Sequence, residues 1–200
     1  MLISLYQTTF TKLRLFEGIA PLLMRLYLAP VMLQAGWNKV TNFDSIVTWF
    51  GNAEWGLGLP FPTVMAGLAT GTELIGGALL LAGLLTRLIS IPLMITMLVA
   101  ALSVHWENGW LAIADSSSWL ANGTLFYNPS VVEAAEKLDA AKSILQQHGN
   151  YEWLTSSGNF VILNNGVEFA ITYFIMLLAL LFIGGGRFVS LDYWLKKWIN

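Results

Sequence analysis

Four stretches of this 200-residue chain are long and apolar enough to cross a hydrocarbon core, and that feature leaves few folds open. They run over about residues 18–39, 63–85, 88–106 and 167–185. A bilayer core offers no water to unpaired backbone N–H and C=O groups, so a spanning segment is a helix or part of a closed barrel. The stretches lack the strict alternation of barrel strands, which leaves helices. Composition agrees, since 56% of residues are hydrophobic and 11% are charged, whereas soluble domains carry about 25% charged residues. The expected fold is all-α: a transmembrane four-helix bundle in one membrane domain over residues 1–200, with a long outer loop containing a soluble amphipathic helix. The lipid bilayer is the expected partner. The chain has no cysteine, which excludes disulfides and thiolate metal sites within it. Basic residues do not cluster beyond a local pair, and no nucleic-acid partner is expected.

Charge sets the expected orientation, because Lys and Arg favour the cytoplasmic side. With a cytoplasmic N-terminus, Lys12, Arg14, Arg87, Arg187, Lys196 and Lys197 lie inside, and Lys39, Lys137 and Lys142 lie outside. Both termini are then cytoplasmic. The stretch after Lys12 and Arg14 is too long for a signal-peptide core, so the first span is expected to be retained as an anchor. Two terminal segments read as helices lying in the cytoplasmic interface. In the first, Leu2, Leu5, Tyr6, Leu13 and Phe16 share a face. In the second, Leu191, Trp194, Leu195 and Trp198 recur at helical spacing beside Lys196 and Lys197.

The outer loop, residues 107–166, is too long for a simple connection. Ser130 followed by Glu133 reads as a capping box, and Gly149 stands where a helix stop belongs. Between them Ala134, Leu138, Ala141 and Leu145 form a stripe that must be buried, on the bundle's outer mouth or on a partner.

Charges inside a membrane are costly and read first as functional. Arg25 shares a face with Ala29, Met32, Gly36 and Lys39. Glu73 shares one with Ala66, Ala69, Thr70, Gly76 and Gly77. Small residues around both point them into the bundle. With the span ends taken as level, Arg25 and Glu73 differ by roughly 6 Å in height at 1.5 Å per residue, so a buried Arg25–Glu73 ion pair is expected. Such a pair serves function or only locks two helices.

A second group lies higher. Lys39 ends the first span, His105 ends the third and Glu168 opens the fourth, with Asn165, Trp37 and Trp106 nearby. Three spans thus bring a cation, an imidazole and a carboxylate to one level. This group is a candidate ligand site; the alternative is a polar belt at the interface. Trp walls with a Lys or His donor suit a quinone-like ring, and Glu168 would orient His105. No catalytic residue is assigned and no metal is expected, Met94 and Met97 reading as core fillers.

These residues resemble the DoxX-like family of small four-span bacterial membrane proteins. The resemblance rests on Arg25 before Gly36-Trp37-Asn38-Lys39, and on Pro60-Phe61-Pro62 leading to Glu73 and Gly76-Gly77. It continues through Gly83-Leu84-Leu85-Thr86-Arg87, His105, Asn165 and Glu168. Gly185-Gly186-Arg187-Phe188-Val189-Ser190-Leu191-Asp192 completes it. The resemblance implies a multi-pass protein of the bacterial inner membrane. It also implies association with redox complexes, including quinone-linked oxidation and thiol-stress oxidoreductases. Other relatives are linked to maturation and to copper-binding peptides. The expectation is therefore a redox-associated subunit that binds a quinone or similar lipid-soluble molecule near the outer face, at most one subunit of a membrane oxidoreductase. The alternative is a non-enzymatic partner or maturation factor, including metal or copper-peptide handling, that docks proteins through its outer loop.

Overall fold

The computed structural model describes residues 16–199, so the face formed by Leu2, Leu5, Tyr6 and Leu13 lies outside the described residues. Long helices carry the architecture. They are α1 (Ile19–Thr41), α3 (Pro62–Ala82), α4 (Thr86–Ala100) and α7 (Glu168–Ile183). Between α1 and α3 lies a nine-residue helix, α2 (Phe43–Gly51), which the apolar-stretch reading passed over. The loop holds α5 (Pro129–His148) and the short α6 (Tyr151–Thr155), and α8 (Leu191–Ile199) ends the chain. No strand forms among the described residues beyond two isolated bridges, Ile113 with Leu163 and Asn122 with Tyr127.

Three helical stretches, Ile19–Thr41, Pro62–Ala82 and Thr86–Asn108, are long and apolar enough to cross a membrane. The last of these runs from α4 through a π-helical turn, Ala101–His105, into a 3-10 turn, Trp106–Asn108. The fourth helix, α7, is apolar but has 16 residues, about 24 Å against a hydrocarbon thickness of roughly 30 Å. It is shorter than the sequence suggested because Gly184 (φ 81°) and Gly186 (φ 74°) turn the chain out of the helix. Large side chains such as Leu68, Ile75, Leu88, Ile95 and Ile175 stay exposed along the helices, which suits lipid and not water.

The described residues fall into two compact units: those up to 98 together with those from 172 on, and residues 99–171. In the first unit one apolar core joins all four long helices through Leu28 and Met32, Leu80, Leu93 and Met97, and Leu177 and Leu180. Met94 packs against it. Helices α1 and α3 run antiparallel and nearly touch. A Cβ on Gly36 would lie 2.9 Å from the backbone nitrogen of Leu74, and one on Gly77 would lie 3.0 Å from that of Leu33. These contacts fix the register, since any larger residue would push the helices apart.

In the second unit α5 starts two residues earlier than the capping-box reading placed it. Pro129 takes the first helical position, where its missing N–H costs nothing, and Asn128 caps through a 3.4 Å bond from Val131 N. Glu133 reaches forward and accepts from Lys137 at 2.9 Å. Gly149 does end the helix, its N–H bonded to Leu145 O at 2.8 Å, without a left-handed backbone. Val131 and Ala134 are buried, whereas Ala141 stays exposed. Ala134 and Leu138 line a cavity of about 220 Å³ with Ala114, Asp115 and Ile162, so this face turns toward the loop's own strands of chain.

Candidate functional site

The register of α1 against α3 decides which charges meet. Gly36 faces Leu74, and Glu73 then lies within reach of Lys39. Lys39 Nζ donates to Glu73 Oε1 at 2.9 Å and to Oε2 at 2.6 Å. The Glu73 side chain is 4% exposed and that of Lys39 is 21% exposed. The expected Arg25–Glu73 pair does not form. It assumed level helix ends, but in the observed register the Arg25 guanidinium lies at Leu80 and Leu81 at the far end of α3, about 11 Å along the axis from Glu73.

Arg25 is fully buried and is held by carbonyls instead. Its Nε donates to Leu80 O at 2.8 Å and its Nη2 to Leu81 O at 3.1 Å. Nη1 reaches Gly185 O at 2.7 Å, and Nη2 also reaches Val189 O at 2.8 Å. Leu80 and Leu81 belong to the last turn of α3, where carbonyls lack helical partners and the helix dipole is negative. Gly83 closes that helix at φ 63°, and a Cβ there would sit 2.5 Å from the guanidinium carbon. Only glycine fits both demands. Val189 holds φ 47°, a costly conformation for a β-branched residue, with its carbonyl bonded to Arg25.

The segment after α7 completes this knot. Asp192 accepts from Leu85 N at 2.7 Å and from Thr86 N at 2.9 Å, placing a carboxylate on the N-terminus of α4. Ser190 Oγ donates to Gly83 O at 3.0 Å, and Asp192 N donates to the same carbonyl at 2.9 Å. The Gly185–Asp192 motif is thus a clasp across the α3–α4 turn.

The other candidate residues divide between the units. Trp37 and Lys39 belong to the first; His105, Trp106, Asn165 and Glu168 belong to the second. Trp37 and Trp106 are both exposed. Within the second unit, His105 Nδ1 lies 2.8 Å from the backbone carbonyl of Asn165. A carbonyl only accepts, so Nδ1 carries a proton, and in the neutral tautomer that fits this contact Nε2 is the acceptor. The expectation that Glu168 orients His105 is therefore corrected: the Asn165 carbonyl orients it, and Glu168 Oε2 accepts from Ala112 N at 2.9 Å. Asn165 itself sits at φ 60°, and His105 is the last residue of the π-helical turn. Both features mark backbone held away from its ordinary minima, as functional sites often are.

A set of asparagines that sequence reasoning left without a role surrounds this point. Asn108 Nδ2 donates to Asn165 O at 3.1 Å. Asn164 Nδ2 donates to Leu111 O at 2.6 Å and to Asn108 O at 2.8 Å, and Asn128 Nδ2 reaches Asn108 O at 2.9 Å. The signal was there in outline: Asn108, Asn164 and Asn165 stand at the two ends of the long loop, where unpaired backbone needs partners.

An apolar helical bundle with charges buried along its helix contacts defines an integral membrane protein. The DoxX family model matches residues 20–106, so the chain is DoxX-like from α1 through α3 and along the third helical stretch as far as Trp106. No curated protein and no solved structure matches the chain.

Proposed function

We propose that this protein is a redox-associated membrane subunit that takes a quinol or a similar lipid-soluble ring at the end of its third span. The observation that carries the reading is the fixed imidazole of His105. Its Nδ1–H is committed to the Asn165 carbonyl at 2.8 Å, which leaves Nε2 to accept a ligand hydroxyl. The π-helical turn that delivers His105 and the exposed ring of Trp106 support the same reading. Asn165 is a positioning residue here, and Glu168 steadies the surrounding loop through Ala112. Lys39 and Trp37 belong to the other unit, where Lys39 satisfies Glu73. In this reading the bound quinol gives two electrons to a carrier on a partner subunit and releases two protons, one to His105 Nε2 and one to outer water. In this reading both termini are cytoplasmic, and residues 107–166 lie outside the bacterial inner membrane.

Binding of a quinol analogue that carries a free hydroxyl, in nanodiscs, tests it. Saturable binding to wild type that is lost in His105→Ala and kept in Glu133→Gln supports the site. A folded wild type with no saturable binding overturns it.

A second reading is favoured by a different observation. Trp119, Phe126, Tyr127 and Trp153 in the loop unit are each at least 60% exposed, and aromatic residues are the usual anchors of protein interfaces. In that reading the loop docks a partner or a client under maturation, copper-peptide handling included. Crosslinking from Trp119 and Trp153 positions in native membranes separates the two. A specific crosslinked protein together with no quinone binding favours docking.

A further inference from the structure

A groove of about 510 Å³ lies between the α3–α4 turn, the end of α7 and the tail helix α8. Its walls combine two kinds of surface. Arg87 and Lys196 line it, and so do Leu85, Leu88 and Ile183, each close to half exposed or more among the apolar residues named. Arg87 forms no ion pair among the described residues, and its one hydrogen bond there is a long 3.4 Å contact to Ile183 O. Gly184 lets that guanidinium lie against the backbone, since a Cβ there would sit 3.1 Å from Arg87 Nε. Asp192 also borders the groove, but both its carboxylate oxygens are taken by the N–H groups of Leu85 and Thr86.

The tail helix says what depth the groove occupies. Trp194, Leu195, Trp198 and Ile199 are exposed, and Lys197 lies 5.4 Å from the Trp194 ring. A short helix with exposed Trp and Leu beside lysines is built to lie where headgroups meet acyl chains. Cations beside apolar walls at that depth match a phosphate ester carrying acyl chains.

We infer that this groove binds an anionic phospholipid, with its phosphate between Arg87 and Lys196 and its acyl chains along Leu88 and Ile183. This site is separate from the His105 site and does not depend on it. A bound lipid joins α4, α7 and α8, so it fastens the tail helix to the bundle.

Native mass spectrometry of the full chain, released from nanodiscs of phosphatidylglycerol mixed with phosphatidylcholine, reads the inference directly. Wild type should retain phosphatidylglycerol preferentially. Arg87→Gln and Lys196→Gln should each lower that preference about fivefold, the scale of one basic residue at a membrane surface. Arg87→Lys should keep most of it, and Lys137→Gln on α5 should keep all of it. Inorganic phosphate provides the other arm. Binding of phosphate alone that depends on Arg87, without lipid preference, makes this a soluble-phosphate site and overturns the lipid. No lipid preference in wild type overturns it regardless of how the variants fold, and so does a wild-type preference in the Arg87→Gln/Lys196→Gln protein.

Discussion

Two charged groups are buried in the same bundle and are stabilised by opposite means. Glu73 meets a counter-charge, the ammonium of Lys39, at 2.6 Å. Among the described residues Arg25 has no carboxylate bonded to it and instead gives its N–H groups to four main-chain carbonyls, two of them at the end of α3. The comparison teaches that a helix terminus substitutes for an acid. Its terminal carbonyls carry partial negative charge and are short of helical donors, so one guanidinium serves the helix end and itself together. An ion pair binds two side chains to each other. The carbonyl cradle binds α1, the end of α3 and the segment after α7 at one point, and three parts of the chain depend on it.

The largest effect should come from breaking that cradle. Arg25→Gln is expected to cost about 4 kcal/mol or more, measured by thermal or denaturant unfolding in mild detergent, because several carbonyls lose a charged donor at once. Arg25→Lys should recover little, since an ammonium lacks the planar fork that reaches four oxygens. A stable Arg25→Lys protein would show that charge alone matters and would erase the contrast.

Next in size is the Lys39–Glu73 pair. Glu73→Gln and Lys39→Gln should each cost about 3 kcal/mol, the lower end for a buried pair because Lys39 retains some exposure. The double variant should lose less than the two single losses combined, and the same unfolding assay reads this as a coupling. Strict additivity would mean that the two residues act independently.

The clasp at the α4 N-terminus should be weaker. Asp192→Asn keeps the side-chain shape but removes the charge from Leu85 N and Thr86 N, and about 1 kcal/mol is expected. Hydrogen exchange at Leu85 and Thr86 should rise locally while the core of α1 stays protected. Equal exchange throughout the bundle would show instead that the clasp and the Arg25 cradle open as one unit.

The smallest change is expected at Asn165. His105 is held by the main-chain carbonyl of that residue, so Asn165→Gly should preserve the Nδ1–H tautomer and alter stability by less than about 1 kcal/mol, glycine accepting the φ of 60° more readily. Nitrogen NMR of the imidazole checks it. A tautomer switch would mean that the asparagine side chain, and not the carbonyl, governs the ring.

The sequence by itself determined the solvent and the class of fold. Runs of about 20 apolar residues have no stable place in water, and their backbone has no partners in lipid except along a helix. The faces of α1 and α3 were legible for the same reason: the small residues at helical spacing around Arg25 and Glu73 are the buried ones. The sequence also marked Gly83 and the Gly185–Asp192 motif, though not their purpose. The tertiary structure decided the pairing. Axial register depends on where a glycine of one helix meets the backbone of another, and on the turn of chain that α2 adds before α3, neither of which hydropathy records. A relative displacement of about two to three helical turns exchanges Arg25 for Lys39 as the partner of Glu73. Backbone carbonyls were the other unread quantity. They are identical at every position of a sequence, and only the fold shows that those of Leu80, Leu81, Gly185 and Val189 converge on Arg25, or that the carbonyl of Asn165 turns toward His105.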